Sequence, residues 1–578
     1  MKSICNPLNI RYLYQHIIEN GHASVGRESA DASIRLIGDT YYLFASMSRG
    51  FFYSDDLVRW EYKAAPELPA YDYAPDVCVI DDYVYVCASS AKKNAFYRTK
   101  DPLNQPFEEV KTDLVFWDPN LFQDDDGRVY FYWGCSDRTP IWGVELDRKT
   151  MKPLCEKIAL LEGRPDEHGW ERCAENNDLR LQVKHPLFTG DPFIEGAWMT
   201  KHNGVYYLQY AGPGTEFNVY ADGVYVSDSP LGPFTYAPHN PPSSKPGGFI
   251  TGAGHGSTFC DKYGNWWHAA TMRISVNHMF ERRIGIFPAE FDDDGLFCVN
   301  QNFADYPMRI PECKTNIWNG IFPGWMLLSY RKHAEASSAA PNCGPENAVN
   351  EDIRSCWAAA DTRGGQFLCV DLGKVYHVNA IQLNLGDQKI PPVESLKEKE
   401  WIGEGYSKRL IDTDSDAAEY TVEISNDGQT WHILKDTCGS PEDHTHEYIV
   451  FEKPVTARFV RTTGYTMPYN APFTVSGLRV FGKGEGVLPA KVHATANMTG
   501  PMDAHIRWTP SNGTNGYNVR YGISKDKLYS SWLLYGQTEL NLGTLSKGQK
   551  YFVCVDAFNE NGITEGDITE VVNQADTV

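Results

Sequence analysis

Asp31, Asp118, Glu195 and His255 occupy one and the same position in a repeated unit of this chain. Each opens a stretch of the same form: a small residue or proline, an apolar run, a Gly/Asp turn, then an aromatic strand. The fifth copy opens with Ala74. A repeat kept for structure alone would hold one residue type there, whereas this one holds three acids and a histidine. A turn or cap role accounts for any single acid at a strand entry. Three acids at equivalent positions are harder to explain, because gathering like charges costs roughly 1–3 kcal/mol per partly buried pair. Folds accept that cost where carboxyl groups with different environments must give and take protons.

The elements that must position these residues follow from the repeat. The copies are Asp31-Ala-Ser-Ile-Arg-Leu-Ile-Gly-Asp-Thr-Tyr-Tyr-Leu-Phe, Ala74-Pro-Asp-Val-Cys-Val-Ile-Asp-Asp-Tyr-Val-Tyr-Val, Asp118-Pro-Asn-Leu-Phe-Gln-Asp-Asp-Asp-Gly-Arg-Val-Tyr-Phe-Tyr, Glu195-Gly-Ala-Trp-Met-Thr-Lys-His-Asn-Gly-Val-Tyr-Tyr-Leu and His255-Gly-Ser-Thr-Phe-Cys-Asp-Lys-Tyr-Gly-Asn-Trp-Trp-His. Each reads as a β-hairpin. The turns at Gly38, Asp82, Gly127, Gly204 and Gly264 are spaced 44, 45, 77 and 60 residues apart. A four-stranded propeller blade takes roughly 40–50 residues, so five copies predict a five-bladed β-propeller with insertions. The longest gap holds the polar segment from Gly163 to Gln182, expected to be a loop over one face of the disc. Equivalent inner-strand positions of a propeller converge on its axis, so the opening residues should share one site.

Composition narrows the partners. The chain of 578 residues has a formal net charge of −22 and no cluster of five basic residues. That excludes nucleic acid and an anionic membrane surface as expected partners. The 33 tyrosines, 27 phenylalanines and 15 tryptophans suit β-structure and offer faces on which sugar rings stack. No apolar stretch approaches the roughly 18 residues of a membrane span, and the N-terminus has no secretory h-region. The 14 cysteines form no CxxC pair, and several sit in apolar strands. Reduced core thiols in a cytoplasmic protein are the expectation, with an extracellular place only if a leader has been removed.

The stretches Ser-Ala-Asp31-Ala-Ser-Ile, Tyr73-Ala-Pro-Asp-Val, Trp117-Asp118-Pro-Asn-Leu-Phe, Ile194-Glu195-Gly-Ala-Trp198, Gly254-His255-Gly-Ser and Arg282-Arg-Ile-Gly-Ile-Phe-Pro-Ala-Glu-Phe resemble glycoside hydrolase family 43 in this order. The likeness covers about the first 310 residues. It implies Asp31 as general base, Asp118 as a modulator of the acid's pKa and Glu195 as general acid of an inverting glycosidase. Ala32 follows the base where the family usually has proline, and Tyr73 stands where tryptophan is usual. His255 matches a histidine that often helps hold calcium through water, which implies a possible structural Ca²⁺ but no cofactor for the chemistry. Candidate substrate contacts are Tyr73, Trp117, Trp198, Phe51 and Arg282, with Arg283 as an alternative partner of the modulator. The loop Trp170-Glu171-Arg172 is a candidate for shaping specificity.

Downstream, Trp357, Val370-Asp-Leu-Gly373, Tyr420 through Trp431 and Ala457-Arg-Phe-Val-Arg461 suggest a β-sandwich that resembles a discoidin-like (coagulation-factor type C) domain. Asp387 to Ala417 is a long polar insertion in it. Ile506-Arg-Trp508, Tyr517 through Tyr521 and Tyr551 through Asn559 resemble a fibronectin type III sandwich, with a spacer or packing role expected. The fold class expected is therefore all-β: a propeller over residues 1–310 and two β-sandwiches over 311–485 and 486–578. The expected function is exo-cleavage of arabinofuranosyl or xylosyl oligosaccharides. A galactan- or galactofuranose-acting enzyme, a non-catalytic carbohydrate-binding propeller and a protein-interaction scaffold are the alternatives.

Overall fold

The computed structural model describes residues 2–68, 73–90, 94–181, 190–391, 401 and 407–573. The chain is all-β apart from short 3₁₀ turns in the described residues. No helix there is long and apolar enough to cross a membrane.

Five antiparallel sheets follow one another along the first 300 residues, except that the short strand Cys135–Ser136 interrupts the third sheet and pairs with Ile194 and Glu195 of the fourth. Their inner strands are Ala30–Ile37, Asp76–Ile80, Asn120–Gln123, Ile194–His202 and Thr251–Cys260. Each inner strand touches the next, and the fifth returns to the first, which closes a propeller-type ring. The neighbouring strands are apolar on both faces because each sheet is covered by its neighbours on both sides. All five residues of Val129–Trp133 are buried for that reason. The hairpin turns fall where glycine allows a left-handed backbone, at Gly38, Gly127, Gly204 and Gly264. In the second hairpin the left-handed residue is Asp81 rather than Asp82.

A second unit is a large sheet running from Met326–Leu327 to Thr474–Lys483, built around the long strands Gln366–Leu385 and His446–Thr466. Trp357, Leu368, Ile381, Val460 and Leu478 fill its core. A third unit has one sheet of Ala494–Gly500, Asp503–Trp508 and Glu539–Leu542. Its other sheet has Ser530–Tyr535, Gly516–Gly522 and Phe552–Asn559 at its centre.

The segment after Gly163 departs from the expected loop over the disc. Its first part docks on the third unit: Gly169 N–H donates to the Leu545 carbonyl at 2.9 Å, and Arg172 pairs with Asp503 at 2.6 Å. Trp170 is buried and donates to Tyr236 Oη at 3.0 Å. Trp170-Glu171-Arg172 is thus a docking element, and Gln182 lies outside the described residues. All 14 cysteines are free thiols.

Candidate active site

The inner strands turn their opening residues toward the axis by a shared backbone device. Asp31, Ala74, Asp118 and His255 all have φ between 50° and 53°, and in the fourth sheet Gly196 takes the left-handed position at 62°. Pairing register shifts at Ala30/Ser33, Glu195/Trp198 and Gly254/Ser257 mark bulges at the same level. A bulge bends its strand and re-aims a side chain, and left-handed non-glycine residues persist where the surroundings hold them. Gly196 also needs to be small, because a Cβ there would lie 2.7 Å from the His255 ring.

The result is a cavity of about 270 Å³ lined by Asp31, Asp118, Glu195 and His255, with Tyr73, Trp117 and Arg282 among its walls. Asp31 is clamped: Arg282 Nη1 and Nη2 donate to its two oxygens at 3.0 Å each, and Ser46 Oγ donates at 2.7 Å. Burial alone would raise its pKa, but the Arg282 guanidinium and His255 hold it below the ordinary carboxylate value. Asp118 accepts from Ser89 Oγ at 3.0 Å, has the Cys135 thiol beside it, and faces the more distant His255 Nδ1 at 3.8 Å. Burial, reinforced by the nearby Glu195 and Asp31 charges, pushes it up to about 7 although His255 opposes the rise. Glu195 accepts from Tyr220 Oη at 2.5 Å and from Cys135 Sγ at 3.2 Å. The site therefore pairs a firmly ionised carboxylate with a carboxyl group that keeps a proton near neutral pH.

That raised value has a consequence for stability. Between the ordinary aspartate pKa and about 7, folded Asp118 holds a proton that the unfolded chain has lost. Its contribution to stability falls as pH rises through this window and is fully unfavourable above it. Asp118→Asn is expected to stabilise the protein by about 1–3 kcal/mol at pH 8 and not at pH 3, read by denaturant unfolding. Equal effects at both pH values would refute the assignment.

Phe51 and Trp198 do not reach the cavity. Phe51 is fully buried between the first two sheets, stacked on Phe44 at 4.9 Å. Trp198 is 4% exposed, with the Arg35 guanidinium 4.3 Å from its ring centroid. Both lie on strands whose side chains pack sheet against sheet, and an apolar ring there gains more from a dry interface than from the mouth. Trp117, by contrast, is 41% exposed at the cavity. Arg283 turns away to the Arg27 carbonyl and Asp387.

Cys135, Phe193, Thr215, Glu216 and Phe280 also line the cavity, and Tyr220 bonds Glu195 beside it. Of these Glu216 is a fourth cavity carboxyl, pushed up to about 7 by burial with Glu195 adding to the rise. Cys135 had a legible signal. Ser46, Ser89 and Thr271 lie within two residues of the ends of the second strands of their sheets and accept the N–H of the next opening residue: Ala74, Asp118 and Asp31. Cys135, seven or eight residues past its turn like the others, stands at that place and bonds Glu195.

The calcium expectation meets an unsuitable donor set. Calcium takes six to eight oxygens. His255 Nδ1 faces Asp31 at 3.5 Å and Asp118 at 3.8 Å. Burial lowers its pKa, yet the surrounding carboxylates raise it overall. The potential ligand atoms of Asp118, Cys135 and Glu195 lie within 4.8 Å of one another, close enough to chelate an ion. A thiol is a soft donor, so these residues do not fit Ca²⁺.

Comparison with known proteins agrees with this geometry. Residues 25–297 match the family described as glycosyl hydrolases family 43, and residues 347–462 match the NedA-like, galactose-binding domain. A beta-xylosidase from Xylanibacter ruminicola is 35% identical over 135 residues, 21% of this chain and 39% of that protein. A xylosidase/arabinosidase from Bacteroides ovatus is 33% identical over 135 residues, 21% of this chain and 38% of that protein. Xylosidase/arabinosidase 43A from Humicola insolens is 28% identical over 261 residues, 39% of this chain and 73% of that protein. The chain thus spans about two fifths of the length of the first two relatives. Residues 25–297 are thus similar to glycosyl hydrolases family 43, and residues 347–462 to a NedA-like, galactose-binding domain.

Proposed function

We propose that the protein is an inverting glycoside hydrolase that releases xylosyl or arabinofuranosyl residues from the ends of oligosaccharides. The observation behind this reading is the opposed protonation of the cavity carboxyls. Asp31, held ionised by Arg282, is the base that activates water on one face of the sugar. Glu195 is the acid that protonates the leaving oxygen on the other face. Asp118 has a potential ligand oxygen within 4.8 Å of one on Glu195, and the Glu195 charge adds to the rise of the Asp118 pKa. The cavity is small beside the roughly 300–1,000 Å³ of common ligand clefts, which suits a terminal sugar better than a chain interior. The xylosidase and xylosidase/arabinosidase relatives support the same sugars.

In this reading the five sheets are the five blades of a propeller over residues 1–310, with sandwiches over 311–485 and 486–578. The last is taken as fibronectin type III-like, supported by its three-stranded and larger facing sheets. A cytoplasmic place, supported by the free thiols, belongs to the same reading and falls if the mature chain is recovered outside cells.

The test is turnover of p-nitrophenyl α-L-arabinofuranoside, β-D-xyloside, β-D-galactofuranoside and β-D-galactoside, with NMR of the first-formed anomer. Release of the inverted anomer from the xyloside or arabinofuranoside is expected. Turnover of the galactosides alone would redirect the substrate, and turnover of none would overturn the hydrolase reading. Because the donors do not suit Ca²⁺, dialysis against EDTA is expected to leave kcat unchanged. A loss restored by added Ca²⁺ would put a metal back in the site.

A further inference from the structure

The base Asp31 is oriented by Arg282, but Arg282 is shared. Its Nε and Nη2 also donate to Glu28 Oε1, at 3.0 and 2.7 Å. Glu28 is 1% exposed, so one guanidinium alone would have to serve two buried carboxylates. A second guanidinium completes the balance: Arg409 Nη1 donates to Glu28 Oε2 at 3.1 Å.

Arg409 does not come from the ring of sheets. It lies on the strand Ser407–Asp412, within the span that matches the galactose-binding domain and within its long insertion. That strand leaves its own unit and pairs antiparallel with Leu13–Glu19, Arg409 opposite Ile17. Leu13–Glu19 in turn pairs with His22–Glu28, which delivers Glu28 to the site. Arg409 also reaches the cavity wall. Its guanidinium lies 5.3 Å from the Tyr73 ring centroid and 5.7 Å from that of Phe280, while Arg282 lies 5.6 and 5.1 Å from the same rings. The two arginines and two rings form one packed group beside the base.

We propose that the discoidin-like module completes the active site, with Arg409 as a positioning residue that holds Glu28 and, through it, Arg282 against Asp31. The proposal rests on the hydrolase reading above. Removing Arg409 leaves Glu28 buried with Arg282 as its one remaining guanidinium partner. Arg282 is then drawn toward Glu28, and the clamp on Asp31 loosens. Misplacement of a reacting group by about an ångström costs up to a hundredfold in rate, so the effect should appear in kcat more than in binding. Because Tyr73 and Phe280 pack on the same arginine, a modest rise in KM accompanies it.

The experiment is steady-state kinetics of the full-length chain on its best p-nitrophenyl glycoside. Arg409→Ala is expected to lower kcat about tenfold to a hundredfold with KM changed by less than about threefold. Arg409→Lys should recover most of the loss, and millimolar guanidinium added to Arg409→Ala should recover part of it. Lys408→Ala, its exposed neighbour on the same strand, should behave as the unaltered protein. Circular dichroism and thermal unfolding of each variant monitor the fold. Unchanged kcat in Arg409→Ala overturns the proposal. So does a loss that neither lysine nor guanidinium relieves and that accompanies a lowered unfolding temperature, because Arg409 is then merely an anchor between modules. If the unaltered protein turns over no glycoside, the hydrolase reading itself fails and takes this role with it.

Discussion

Asp31→Ala is expected to lower kcat by at least about a hundredfold on every glycoside the protein cleaves. In the proposed mechanism the base makes the attacking water nucleophilic, and no property of the leaving group replaces that step. Substrates with good and poor leaving groups should therefore suffer alike. The variant also frees Arg282 from one of its two carboxylates, so the guanidinium can turn wholly to Glu28. Asp31→Asn separates the two effects: it keeps the side chain's shape and loses the base, and it should be nearly as inactive as alanine. Near-normal turnover in either variant would remove Asp31 from the mechanism.

Glu195→Ala carries the second large effect, with a different signature. An acid assists departure of a poor leaving group far more than a good one, because an alkoxide needs a proton and a stable phenolate hardly does. The loss in kcat should be at least about a hundredfold on a natural oligosaccharide and much smaller on a 2,4-dinitrophenyl glycoside. Equal losses on both would show that Glu195 supports the cavity rather than donating a proton. The alanine variant also strands the donors Tyr220 and Cys135, which point at the two Glu195 oxygens. Glu195→Gln, which still accepts at one oxygen, is the control for that disturbance.

The carboxylates were legible because a repeat exposes a departure from its own rule. Asp31, Asp118 and Glu195 break the uniformity of one position, and a ring fold carries equivalent positions to one axis. The aromatic walls were legible only in part. Tyr73 and Trp117 adjoin the opening residues Ala74 and Asp118 and line the cavity with them. Phe51 and Trp198 sit in equally aromatic surroundings but point into the packing between sheets. Alternation along a strand tells two faces apart; it does not tell which face meets a neighbouring sheet and which meets solvent-filled space.

By itself, then, the sequence determined the all-β class, the five hairpins and the set of acids that meet. Those depend on local alternation, on turn residues and on periodicity. Tertiary structure alone decided what holds the acids. Arg282 is the clamp and Arg283 is not, although the two are adjacent and chemically equal. Successive residues of a strand leave opposite faces, and only the packed sheet fixes which face looks inward. Arg409 reaches Glu28 through a strand donated across units, and no local pattern announces such a contact. Long-range pairing is set by the energy of the whole assembly.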